Sequence, residues 1–159
     1  MTIPTISALP TRPRRRASAL VATLAAVGLA GATVPAGATA KTVSISESVS
    51  LKLTKKSNSK LSHRGTATGT IPGSATAQST LRGLKLNGTV TIKTKRGDLR
   101  IKINGTARSS NVRTKFDGTA TMDGGTGIYR KARGTGKFDG IVNRSSWAAT
   151  IRATGKLTY

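Results

Sequence analysis

The chain has 159 residues, and its 27 lysines and arginines against five acidic residues give a formal net charge of +22 at pH 7. This length fits a single domain. The absence of cysteine excludes disulfide cross-links and thiolate metal sites, and one histidine is too few for an imidazole site. We therefore expect no metal and no other cofactor.

The first 40 residues have the pattern of a secretory signal peptide. Four arginines within 12–16 precede a weakly apolar run at 17–34, and small residues stand just before Lys41. A membrane anchor is the alternative, although the run is barely long enough to cross a bilayer. We predict a signal peptide cleaved between Ala40 and Lys41, one mature domain at 41–159, and a secreted or extracytoplasmic location.

Beyond the predicted signal peptide, apolar and polar residues alternate with the two-residue period of β-strands. In the first segment Val43, Ile45 and Val49 share one face, while Ser44 and Ser46 share the other. The alternation predicts eight strands, near residues 43–55, 62–71, 74–86, 89–95, 99–108, 112–122, 133–142 and 146–158.

The connections between these strands predict how the strands pair, because only some turn lengths keep the apolar faces aligned. We expect a three-residue loop at 87–89, a two-residue turn at 97–98, a four-residue loop at 108–111 and a two-residue turn at 143–144. The facing pairs that follow are Leu86 with Val90, Leu84 with Ile92, Thr94 with Ile101, Ile92 with Ile103, Ala107 with Val112, Ile103 with Phe116, Phe138 with Ala149, and Gly136 with Ile151.

Eight sequential antiparallel strands with one apolar face predict an all-β fold, and specifically an up-and-down barrel. Closure into a barrel removes the exposed edges that an open sheet would leave. A two-sheet β-sandwich is the alternative, since it has the same inward and outward stripes. The only helical pattern is a single turn at 128–132.

The segment MDGGTGIYRKARGTGKFDG at 122–140 resembles a pattern of the allene oxide cyclase and dirigent-like proteins, a calycin-like group of eight-stranded antiparallel barrels. The pattern G-G-T-G-x-[FY]-x-x-A-x-G-x-G is filled by Gly124, Gly125, Thr126, Gly127, Tyr129, Ala132, Gly134 and Gly136. The resemblance implies a barrel in which this segment joins the sixth and seventh strands. It brings no catalytic residue to this chain, because the motifs that place the family's site residues are not found here.

The residues of this segment also indicate a structural corner. A phosphate-binding loop needs a strand before it and a helix after it, whereas strand patterns flank this segment on both sides. We expect positive φ at Gly125 and Gly127, and close strand approach at Gly134 and Gly136. The alternative is anion binding by the basic residues Arg130, Lys131 and Arg133.

Glu47 falls among apolar residues on the predicted inner face, where burial would raise its pKa and suit it to general acid or base chemistry. His63 shares that face, but it is separated from Glu47 by about seven residues, or about 23 Å, which argues against a direct dyad. Small residues on strands two, three and seven would leave room for one small ligand. The predicted lining is Glu47, Phe116, Met122, Trp147 and Ile151. The alternative is that large side chains fill this space.

The strongest functional signal is the charge of the outer face. Nine basic residues have outward parity on strands four to eight, namely Lys93, Lys95, Arg100, Lys102, Arg113, Lys115, Lys137, Arg152 and Lys156. Four of the basic residues and no acidic one precede Lys41, so the mature domain keeps a charge of about +18. Such a surface attracts anionic polymers through counterion release and steering, unless it serves only as a solubilising coat.

The sequence thus predicts an exported, non-enzymatic barrel that associates with anionic envelope or matrix polymers. Few aromatic residues accompany the outer charges, which disfavours specific nucleic-acid binding. The alternative function is the binding or isomerisation of a small apolar ligand in the lumen, with Glu47 as the residue to test.

Overall fold

A computed structural model describes residues 40–159, so the predicted signal peptide lies outside the described residues apart from Ala40. The strands are β1 (Thr42–Ser57), β2 (Lys60–Gly69), β3 (Gly73–Arg82), β4 (Lys85–Thr94), β5 (Gly97–Ala107), β6 (Arg113–Gly125), β7 (Arg133–Asn143) and β8 (Ala149–Thr158). One turn of 3₁₀-helix, Gly127–Tyr129, lies between β6 and β7.

Each strand pairs antiparallel with the next, and β8 pairs with β1 to close the sheet. The closing seam runs from the pair of Thr42 with Thr158 to the pair of Leu51 with Ala149. Every strand therefore has two neighbours, and the sheet has no open edge. The predicted eight-stranded up-and-down barrel is confirmed, and the sandwich alternative is not the fold.

The barrel interior is filled by pairing large side chains with small ones. Ala75 lies opposite Ile92 and Ala77 opposite Val90. Gly136 and Gly155 face each other, and a Cβ on either would overlap a carbonyl oxygen of the neighbouring strand. The fully buried large side chains include Ile92, Leu99, Met122 and Leu157. Because an eight-stranded barrel has little interior width, this alternation lets the apolar residues meet without clashing.

The connection between β3 and β4 differs from the prediction. The turn is Gly83-Leu84, and the residues expected to form a loop, 87–89, lie inside β4. Gly83 has φ +58°, and glycine at the first central position is what a type II′ hairpin turn requires. Leu86 consequently pairs with Leu81 and not with Val90.

The remaining predicted registers are wrong by an even number of residues. The β4–β5 turn is Lys95-Arg96, so Ile92 faces Leu99. In the β5–β6 and β7–β8 hairpins, whose loops are 108–112 and 144–148, each partner lies four residues beyond the predicted one. Ala107 therefore faces Phe116, and Phe138 faces Ala153. An even shift leaves each side chain on its own face, which is why the apolar alternation did not distinguish these registers.

The glycine-rich segment is the corner that its residues predict. It leaves β6, makes the single 3₁₀ turn and enters β7, with Tyr129 and Ala132 buried against the barrel. Positive φ occurs at Gly124 (+73°) and Gly127 (+56°). The prediction for Gly127 is confirmed and that for Gly125 is wrong: a Cβ at Gly125 would instead overlap the carbonyl oxygen of Asp98.

The two ends of the barrel differ. At one, which we call the tyrosine end, the rings of Tyr129 and Tyr159 pack with centroids 5.2 Å apart. The connections at the other end join β1 to β2, β3 to β4, β5 to β6 and β7 to β8, and Trp147 lies in the last of them. We call this the tryptophan end.

Substitution of Gly127 by alanine tests the corner. Gly127 and Gly83 have nearly equal positive φ, but a Cβ at Gly127 would overlap the carbonyl oxygen of Arg96, whereas a Cβ at Gly83 meets open space. Gly83→Ala should lower the free energy of unfolding by about 1 kcal/mol. Gly127→Ala should lower it by about 2–4 kcal/mol. Urea denaturation measures both, and equal losses would contradict a close contact at Gly127.

Candidate functional site

The interior contains two small cavities that share three wall residues, Val90, Ile103 and Ile151. The cavity nearer the tryptophan end has a volume of about 50 Å³ and is lined in part by Phe116 and Trp147. The other has a volume of about 40 Å³ and is lined in part by Glu47 and Met122. All five predicted lumen residues therefore border a cavity. Each cavity is smaller than the roughly 150 Å³ that accommodates benzene in a protein core.

Glu47 points into the barrel, as its parity predicts, and is 5% exposed. Its Oε1 accepts a hydrogen bond from the amide of Ile71 (2.5 Å), and its buried Oε2 has no partner among residues 40–159. Burial raises the pKa of Glu47, and the amides of Ile71 and Thr70 oppose that rise. One carboxyl oxygen is thus held by a backbone amide and the other is buried without a partner in the described range, in a side chain that borders an apolar cavity.

His63 is buried near the opposite end of the same wall. Its Nε2–H donates to the carbonyl oxygen of Trp147 (2.9 Å), and burial lowers the pKa of the imidazole. A bulge in β1 places His63 opposite Leu53, and Glu47 lies opposite Gly69. The two groups are separated by six strand positions, or about 20 Å. They border different cavities and form no dyad.

Trp147 is the side chain whose setting differs most from the prediction. It was expected inside the eighth strand, but β8 begins at Ala149 and Trp147 lies in the preceding loop with φ +57°. The loop starts with an Asx turn, in which Asn143 Oδ1 accepts from the amides of Ser145 and Ser146. The Trp147 ring borders the mouth of the barrel, and Lys56 Nζ lies 4.3 Å from its centroid. Asn143 was the available sequence signal for this longer loop, whereas nothing in the local pattern indicated the contact with Lys56.

The outer face is as cationic as the outward parity predicts. All nine basic residues named for strands four to eight are exposed. Within the described part of the chain only two ion pairs form, Lys102 with Asp123 (2.7 Å) and Arg108 with Asp117 (2.5 Å). Lys102 is the single member of the nine that takes part in an ion pair. The Lys102 ammonium also holds the pKa of Asp123 below its usual range.

Two grooves on the outside of the barrel border these charges. The larger, of about 620 Å³, is lined by Lys93, Lys95 and Arg96 together with Thr70, Ile71, Pro72, Gly73, Thr94 and Tyr129. We call it the basic groove. The smaller, of about 470 Å³, has threonines and Lys137 along its walls. Asp98 lies opposite Lys93 in the β4–β5 register, and no ion pair joins them. Ammonium, guanidinium and hydroxyl groups of this kind are donors suited to anionic oxygens.

Neither a metal site nor a membrane-crossing helix is found among residues 40–159. No group of three or more histidine, aspartate or glutamate side chains is placed to bind a metal ion there. No helix in that range is long and apolar enough to cross a membrane.

Comparison with known proteins finds no match to any family model, curated protein or solved structure. The closed barrel agrees with the fold that the glycine-rich motif implies, but a barrel of this kind does not identify a family.

Replacing Glu47 by glutamine tests its buried state. Because burial raises the pKa of Glu47 above 4.5, the folded state binds this proton more tightly than the unfolded state. The free energy of unfolding should fall as pH rises from 4.5 through the raised pKa. Glu47→Gln should remove this fall and be the more stable protein at pH 7, as measured by urea denaturation across pH.

The quantity to follow is the difference in the free energy of unfolding between the wild type and Glu47→Gln. His63 gives both proteins a pH dependence of the opposite sign. Its lowered pKa costs stability as pH falls through 6.5. Parallel profiles for wild type and Glu47→Gln would contradict a raised pKa at Glu47.

Proposed function

We propose that this protein is an exported, non-enzymatic barrel that associates with anionic polymers of an envelope or matrix through its outer face. The observation that carries the proposal is the set of nine exposed basic residues, eight of which have no ion-pair partner among residues 40–159. Ions from solution neutralise such charges in the free protein. Their release on contact with a polyanion favours binding.

The basic groove is the part of this surface best suited to hold an anionic group. Lys93 lies on an outward position of β4, whereas Lys95, which was expected at the end of that strand, forms the β4–β5 turn with Arg96. Their side chains line the groove together with Thr70 and Thr94, whose hydroxyl groups are hydrogen-bonded to the backbone. Carboxylate, sulfate or phosphate groups spaced along a chain could be held there without base-specific or sugar-specific contacts, so the expected partner is a class of polymer.

Binding to polygalacturonate, a carboxylated polysaccharide, tests the proposal, with neutral dextran as the control polymer. The protein should bind polygalacturonate at about 50 mM salt and lose that binding at about 500 mM, because salt screens the charges and removes the gain from counterion release. Absence of binding at low salt would contradict the proposed function.

A pair of charge-matched variants tests whether the polymer binds at the basic groove. Lys93→Gln/Lys95→Gln removes two charges from the basic groove, and Lys52→Gln/Arg64→Gln removes two exposed charges that face each other on β1 and β2. The groove variant should bind about fivefold more weakly at low salt, at roughly 0.5 kcal/mol per charge, and the control variant should lose less than half of that free energy. Equal losses would show that binding follows net charge and not the groove.

The alternative function, binding of a small apolar ligand in the lumen, draws on one observation. Glu47 borders an apolar cavity and has a buried carboxyl oxygen without a partner among residues 40–159, which is an arrangement that proton transfer can use. The two cavities, of about 50 and 40 Å³, would have to open before a ligand could enter. The outer surface needs no such rearrangement, and we therefore favour the polymer-binding function.

A further inference from the structure

The tryptophan end exposes large apolar side chains from separate connections. Among the described residues, Leu84 in the β3–β4 turn is 44% exposed and Val112 in the β5–β6 loop is 59% exposed. Trp147 lies half-buried in the β7–β8 loop, and Ile141 is exposed two residues before β7 ends. At the tyrosine end, Ile128 is the one exposed large apolar side chain in the described range.

Backbone hydrogen bonds fix these connections to one another. The amide of Ala107 donates to the carbonyl oxygen of Leu84 (2.7 Å), and the amide of Arg144 donates to that of Val112 (2.7 Å). His63 and Lys56, on the nearby strands β2 and β1, contact Trp147. The apolar side chains are therefore carried on a rigid rim, and Trp147 keeps its unfavourable positive φ there, as residues at functional sites often do.

Basic residues surround these apolar side chains. The strand ends and loops at the tryptophan end carry Lys55, Lys56, Lys60, Arg82, Lys85, Arg108, Arg113 and Arg144. Within residues 40–159, Arg108 is the only one of these eight that forms an ion pair, with Asp117. We call this set the basic rim.

The chemistry of this end selects among the surfaces that could cover it. A second copy would bring one basic rim against another, which like charges disfavour. A protein partner usually needs a contiguous apolar core at the interface, whereas the apolar side chains here lie in separate turns. Separate exposed apolar side chains, surrounded by the basic rim and with a tryptophan beside them, suit the boundary between anionic lipid headgroups and acyl chains.

We propose that the tryptophan end docks end-on against an anionic lipid bilayer, with Leu84, Val112 and Trp147 at the headgroup boundary and the basic rim on the lipid headgroups. This docking goes beyond polymer binding by the outer face, because it requires apolar side chains as well as charge. The barrel itself stays outside the bilayer.

The single tryptophan of the chain provides the test. Vesicles of phosphatidylcholine with phosphatidylglycerol should bind the protein, shift the Trp147 fluorescence to the blue, and quench it when the acyl chains are brominated near the headgroup. Vesicles of phosphatidylcholine alone should produce none of these three effects. Binding to the anionic vesicles without quenching would contradict the docking.

Matched variants separate insertion from simple charge attraction. Leu84→Ser/Val112→Ser should reduce the partition coefficient on anionic vesicles by about tenfold or more, because two exposed aliphatic side chains no longer leave water on binding. Ile128→Ser, which removes an exposed aliphatic side chain at the tyrosine end, should bind as the wild type does. Undiminished binding by the double variant would overturn the proposal. Unchanged urea denaturation shows that each variant is folded.

Polygalacturonate binding by the same proteins distinguishes this proposal from the proposed function. The double variant should bind the polymer as the wild type does. A wild-type protein that binds the polymer but not anionic vesicles would refute the docking alone. One that inserts into vesicles but ignores the polymer would refute the polymer-binding function alone.

Discussion

The rest of the structure depends on one constraint: an eight-stranded sheet closes only if its narrow interior is filled without overlap. The chain meets it by placing small residues opposite large ones, as Ala75 lies opposite Ile92. Glycine serves the same purpose at Gly65, where a Cβ would overlap the carbonyl oxygen of Ser50. Closure satisfies the backbone of every strand, and it stabilises a chain that has no disulfide.

Filling the interior determines where chemistry can occur. What remains inside are two cavities of about 50 and 40 Å³, one of them bordered by Glu47. The outer wall, in contrast, carries strand positions that need only be polar, and in this chain most of them are lysine, arginine, serine or threonine. Packing therefore restricts the choice of residue in the core but not on the outer wall. Most basic residues that have no ion-pair partner in the described range lie on that wall.

The alternation of residues predicted the strands and their faces, because a strand repeats every two residues. It placed Glu47 inside and Lys93 outside, and both positions are confirmed. Alternation carries no information about shifts of two or four residues, so the turn at Gly83 and the long loop around Trp147 were missed. The grooves and the contact between Lys56 and Trp147 depend on register and on distant strands, which no local pattern contains.

We propose that this barrel binds anionic polymers through its outer face. Amide NMR during a titration with polygalacturonate tests this proposal at the level of single residues. We predict chemical-shift changes at Thr70, Lys93, Lys95 and Arg96 around the basic groove, with little change at the interior residues Val90, Ile103 and Ile151. Changes concentrated at those interior residues and at Glu47, with none around the basic groove, would contradict binding through the outer face.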